Sequence, residues 1–135
     1  ESEGKHAFLD NIHLLSEMMT YLFDCSSVGL RLISLNQPMC PNFHTDKISG
    51  RLICTYHGQG TEWLLNEELS DINSSYQVVA QNQLDKQHSI MRAQQGDVLL
   101  LKGDAWPDNE GKGAVHRSPP NLCQEQRLLL TLDPM

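Results

Sequence analysis

At 135 residues, 39% of them hydrophobic and 20% charged, the chain has the make-up of one globular domain able to bury a core without disulfide or metal staples. Its formal net charge of −7, with Lys and Arg scattered singly, disfavours nucleic-acid phosphates and anionic membrane surfaces as partners. Apolar runs such as Val98-Leu-Leu-Leu101 are far too short to span a bilayer. The cysteines Cys25, Cys40, Cys54 and Cys123 form no Cys-x-x-Cys motif, which argues against a zinc ribbon and fits free thiols in a reducing cytoplasm. No signal peptide is visible, and the first residue, Glu1, leaves room for an upstream segment.

From Ala7 to about Asp24, apolar residues recur every three or four positions, at Phe8, Ile12, Leu15, Met19 and Leu22-Phe23. Leu9 and Met18 widen the stripe, and the period predicts an amphipathic helix over about 7–24 lying on a sheet. Cys25-Ser-Ser-Val-Gly29 ends it. Strands are expected at Leu30–Leu35, Arg51–Tyr56, Thr61–Leu64, Tyr76–Ala80, His88–Arg92, Val98–Lys102, Gly113–Arg117 and Arg127–Asp133, with turns rich in Gly, Pro, Asn and Asp between them. Asn66–Ser75 reads as a polar loop with at most a helical turn, and Asp104–Lys112 as a loop long enough to cover a site. The pattern predicts an all-β domain with an N-terminal helix: a double-stranded β-helix (jelly roll, cupin-like) over about 28–133, within one domain of residues 1–135.

The stretch Cys40-Pro-Asn-Phe-His44-Thr-Asp46 holds the one His-x-acid pair in the sequence. On extended backbone, residues two apart point to the same side and can grip one ion. His116, in Gly113-Ala-Val-His116-Arg-Ser-Pro-Pro, is the best candidate for a third ligand. Two imidazoles and a carboxylate leave three positions of an octahedral Fe(II) open, two for a 2-oxo acid and one for dioxygen. The far carboxylate of such a co-substrate needs a charge-assisted partner, and Arg127 supplies a guanidinium suited to it. Alternation along the last strand puts Thr131 on the same face as Arg127, and Tyr56 or Thr55 is placed to add a further hydroxyl.

Plainer roles compete for several of these residues. Arg127 could form a surface ion pair with an acid such as Glu125. The thiolate of Cys40 could join His44 and His116, which would favour zinc, or the residue could be a buried, inert thiol. His57, in a Gly-flanked turn, could stand behind the ligands, whereas His6, His13 and His88 read as surface residues.

The order His44-Thr-Asp46, Arg51-Leu-Ile-Cys-Thr-Tyr56, Gly58-Gln-Gly60-Thr61, Gly96-Asp97-Val98, His116 and Arg127 resembles the Fe(II)/2-oxoglutarate dioxygenases, most closely their prolyl-hydroxylase branch. The stretches Cys-Pro-Asn-Phe-His-Thr-Asp, Thr-Tyr-His-Gly-Gln-Gly-Thr-Glu-Trp-Leu, Leu-Lys-Gly-Asp-Ala-Trp and Val-His-Arg-Ser-Pro, between Leu30 and Pro134, look still more like a bacterial family of unknown function. The dioxygenase resemblance implies Fe(II) held by His44, Asp46 and His116, and 2-oxoglutarate held by Arg127. The sequence departs from some branches in lacking Ser or Thr two residues after the arginine, and Thr131 lies four residues on. The expected function is a non-haem Fe(II)/2-oxoglutarate-dependent oxygenase, cytoplasmic, hydroxylating a small molecule or a peptide. The rivals are a cupin-like divalent-metal (zinc) module without redox chemistry, and a degenerate barrel serving only as an interaction surface.

Overall fold

In the computed structural model, which describes residues 2–69, 89–120 and 125–135, the N-terminal apolar stripe forms one long helix, α1 (Glu3–Phe23). It starts about a turn earlier than the apolar period implies. The extra turn carries the Glu3 carboxylate, which favours the positive end of the helix dipole. Asp24, left-handed at φ 48°, ends the helix, and the Cys25 N–H donates back to the Thr20 carbonyl at 3.1 Å. Only Leu15 and Met19 are fully buried, with Ile12 and Phe23 packed beside them. Leu9, Met18 and Leu22 stay half-exposed, so the buried stripe is narrower than the sequence suggests.

The strands are β1 (Val28–Leu35), β2 (Gly50–His57), β3 (Glu62–Leu64), β4 (Ile90–Arg92), β5 (Val98–Lys102), β6 (His116–Arg117) and β7 (Arg127–Pro134), with a short helix α2 (Asn66–Leu69) after β3. They form two antiparallel sheets, ordered β1-β7-β2-β5 and β4-β3-β6. The architecture is mostly β with one N-terminal helix, as expected. The strand foreseen at Gly113–Arg117 contracts to its last two residues, and the strand foreseen at Tyr76–Ala80 lies outside the described residues, as do His88 and Cys123. Among the described residues no helix is long and apolar enough to cross a membrane.

The central strands β2 and β7 are apolar on both faces because each face meets another layer. Leu52, Cys54, Leu130 and Leu132 point out to Leu15 and Met19 of α1. Ile53 and Leu129 point the other way, and pack with Leu101, Leu35, Leu99 and Ala114. The smaller sheet has its own cluster of Phe43, Leu64, Leu69 and Val115. The charged and polar residues two positions from Ile53 and Leu129, on the same strand faces, therefore point to the same side as this cluster.

Leu130 has no exposed surface and sits where α1 meets the sheet. Leu130→Ala should lower the unfolding free energy by about 2–5 kcal/mol, read as a shift in urea denaturation. A loss under about 1 kcal/mol would contradict a core built on this helix–sheet contact.

Candidate metal centre

His44 lies outside the named strands but exchanges two backbone hydrogen bonds with His116, each N–H donating to the other's carbonyl at 3.0 Å. A directly opposed antiparallel pair projects both side chains to the same side. The two imidazoles accordingly lie with ring centroids 4.5 Å apart. Nδ1 of His44 is 2.9 Å from the Asn42 carbonyl, and Nδ1 of His116 is 2.9 Å from the Ala114 carbonyl. A carbonyl only accepts, so in the neutral form of each ring Nδ1 carries the hydrogen and Nε2 the lone pair. Both Nε2 atoms face Asp46, at 3.9 Å from Oδ1 for His44 and 3.4 Å from Oδ2 for His116.

One ligand atom from each of His44, Asp46 and His116 lies within 4.8 Å of the others, a possible triad for one divalent ion. Backbone carbonyls behind the ligating histidines are a common way to fix tautomer and ring orientation. His116 is buried, and that burial, reinforced by His44 and Arg51, holds its pKa below 6.5 against the opposing pull of the Ala114 carbonyl and Asp46. It is thus kept in the neutral form that binds metal.

Asp46 is itself held. The Asp104 N–H donates to the Asp46 carbonyl at 2.8 Å. The Asp104 carboxylate accepts from Thr45 Oγ1 at 2.8 Å and from the Gly113 N–H at 2.9 Å. One aspartate thereby ties the His-x-Asp segment to the approach to His116. Nη1 of Arg51 lies 3.3 Å from both carboxylate oxygens of Asp46. Sequence reasoning missed Asp104 and Arg51. Arg51 had a signal, since it shares a strand face with Ile53 and Thr55, an odd place for a charge without a task.

Arg127 is 6% exposed and not at the surface, and its guanidinium makes no ion pair with Glu125. Glu125 instead lies 3.9 Å from His57, which is exposed and stands apart from the triad. Nη2 of Arg127 donates to Thr55 Oγ1 at 3.2 Å and Thr61 Oγ1 at 3.4 Å, while its Nε and Nη1 are buried without a partner among the described residues. Burial pulls its pKa down. Gly58, at φ 86°, passes so close that a Cβ there would lie 2.7 Å from the Gln126 carbonyl and 3.0 Å from Arg127 Cγ. Of the expected hydroxyls, Thr55 reaches Arg127 and Thr61 is an addition.

Thr131 is buried on the same face of β7, but about 13 Å further along the strand. Tyr56 does not join the site. Alternation turns it away from Thr55 toward α1, where its hydroxyl donates to Asn11 Oδ1 at 2.6 Å and its ring meets Phe8 edge-on. Burial there pushes its pKa up to about 12. Cys40 is exposed, not buried, and its thiol is not among the gathered ligand atoms.

The family described as "Protein of unknown function (DUF1826)" matches residues 1–133. The chain belongs to that family. No curated protein matches it. Among solved structures, this DUF1826 chain is similar to peruvianin-I, described as a cysteine peptidase from Thevetia peruviana latex, with 15% identity over 79% of the chain and a TM-score of 0.43. The match spans about half of that protein's chain (50%).

Two outcomes follow from the buried cation and the buried imidazole. Arg127→Met should leave the ligand-free protein equally stable or more stable, by up to about 1–4 kcal/mol in urea denaturation, because it removes a desolvated charge. A clear loss of stability would mean that the guanidinium is already satisfied. His116 has its folded pKa below 6.5, so the unfolded chain takes up that proton first and stability falls as pH drops through about 6.5, levelling off below the folded value. His116→Gln should flatten this part of the profile of urea midpoint against pH; an unchanged slope would contradict it.

Proposed function

We propose that this protein is a non-haem Fe(II)/2-oxoglutarate-dependent oxygenase. The observation that carries the reading is the Arg127 guanidinium, buried with Nε and Nη1 unpartnered among the described residues, in a chain that also gathers two imidazoles and a carboxylate. A buried cation without a counter-ion is costly, and an anionic ligand would offset that cost. The facial set of two nitrogens and one carboxylate oxygen suits Fe(II) and leaves positions open for a chelating 2-oxo acid.

The strand order supports reading the two sheets as a double-stranded β-helix. With the His44 bridge counted as a second strand, the described strands run first-eighth-third-sixth in one sheet and fifth-fourth-seventh-second in the other. That alternation is the one two nested Greek keys produce in a jelly roll.

When bound, Fe(II) and 2-oxoglutarate supply oxidative decarboxylation with dioxygen, giving succinate and CO2 and placing the second oxygen atom in a C–H bond of the substrate. The chain's own part is binding and orientation. His44 and His116 would hold the ion through Nε2, and Asp46 would add the anionic ligand. Arg127 takes the far carboxylate of the co-substrate, while Thr55 and Thr61 accept from Nη2 and fix the guanidinium plane. Ile53 and Leu129 line the interior between these ends with apolar side chains. The substrate, a small molecule or a peptide, would approach along the loop at Asp104, which is fastened to the Asp46 backbone.

Protein loaded anaerobically with Fe(II) should convert 2-oxoglutarate to succinate on admission of air, and His116→Ala should abolish both iron binding and succinate formation. Unchanged turnover in that variant would rule out these ligands. Stoichiometric zinc together with no 2-oxoglutarate binding would instead favour a cupin-like metal module without redox chemistry.

A further inference from the structure

We propose that Arg51 and Asp133 form a charge-compensated post that orients Asp46 as a metal ligand, an inference that rests on the metal-site reading above. Both residues come from the same end of the central strand pair, Arg51 near the start of β2 and Asp133 near the end of β7. Their side chains lie on the interior face shared with Ile53 and Leu129.

The distances set a hierarchy. Arg51 Nε and Nη2 each donate to Asp133 at 2.7 Å, the parallel two-bond geometry that best fixes a guanidinium. Only Nη1 is left, and it sits 3.3 Å from each oxygen of Asp46. Asp133 thus places the cation, and Asp46 leans on a group already positioned by a different strand. The same carboxylate faces both histidine Nε2 atoms. Both Nε2 atoms carry lone pairs and only face it, so the hydrogen-bond donor that sets the plane of the carboxylate here is Arg51 Nη1.

Charge explains why the post needs two residues. With both histidines neutral, Asp46 alone offers the ion one negative charge. Arg51 by itself would cancel that charge and repel a divalent cation. Asp133 cancels Arg51 in turn, so the three charged groups keep one net negative charge while the carboxylate stays oriented. Arg51 is a positioning residue, acting through Asp46.

The test uses Co(II), whose visible d–d absorption reports ligand geometry, on full-length wild type, Arg51→Met and Asp133→Asn, with far-UV circular dichroism as the check on folding. Arg51→Met should bind Co(II) with a displaced band, because Asp46 can rotate. Asp133→Asn leaves Arg51 uncompensated and should weaken Co(II) affinity about tenfold. A purely structural pair would lower stability and leave band and affinity unmoved. An unchanged band in folded Arg51→Met overturns the proposal. Should Arg51→Met not fold, the affinity of Asp133→Asn decides alone, and a wild-type value overturns it. Wild-type protein that binds no Co(II) overturns the metal reading as well, which separates the two failures.

Discussion

The backbone bridge between His44 and His116 is the contact on which the site depends. Two hydrogen bonds of 3.0 Å join segments more than seventy residues apart in sequence and set both imidazoles side by side. Everything else at that end refines this pairing. The Asn42 and Ala114 carbonyls choose the tautomers, and Asp104 fastens the flanking loops. Asp46, two residues after His44, then has little choice but to face the same space.

The central strand pair carries the rest. Strands β2 and β7 are buried on both sides, and their outer faces hold α1. Their inner faces carry a cation at either end, Arg127 with Thr55 at one and Arg51 with Asp133 at the other, with Leu129 and Ile53 between. The two arginines differ in a telling way. Arg51 is neutralised by two carboxylates, whereas Arg127 has hydroxyl partners alone among the described residues. An arginine left in this state lowers the stability of the free protein, the kind of cost that functional sites tolerate and packing alone does not explain.

Much of this was legible in the sequence. The alternating strands, the helix on one face and the convergence of His44, Asp46 and His116 could be read because each rests on local periodicity or on strong side-chain chemistry. What could not be read depends on register. Whether Tyr56 or Thr55 faces inward is settled by the parity of β2 against its partner strands, and a one-residue difference reverses it. Thr55 faces the interior and Tyr56 faces Asn11. Arg51 with Asp133 likewise became a pair only when β2 and β7 were laid side by side. The exposure of Leu9, Met18 and Leu22 was hidden for a related reason, since hydrophobic period gives the direction of a buried stripe but not its width.

On the proposed reading, one interior holds both a divalent ion on His44, Asp46 and His116 and an anionic co-substrate on Arg127. Visible absorption of the anaerobic Fe(II) protein during titration with 2-oxoglutarate tests it most directly, because a charge-transfer band arises only when the 2-oxo acid chelates the iron. A saturable band is expected in the wild-type protein, absent in Asp46→Ala and needing much higher 2-oxoglutarate in Arg127→Met. No band in wild type, or a band indifferent to both substitutions, would contradict it.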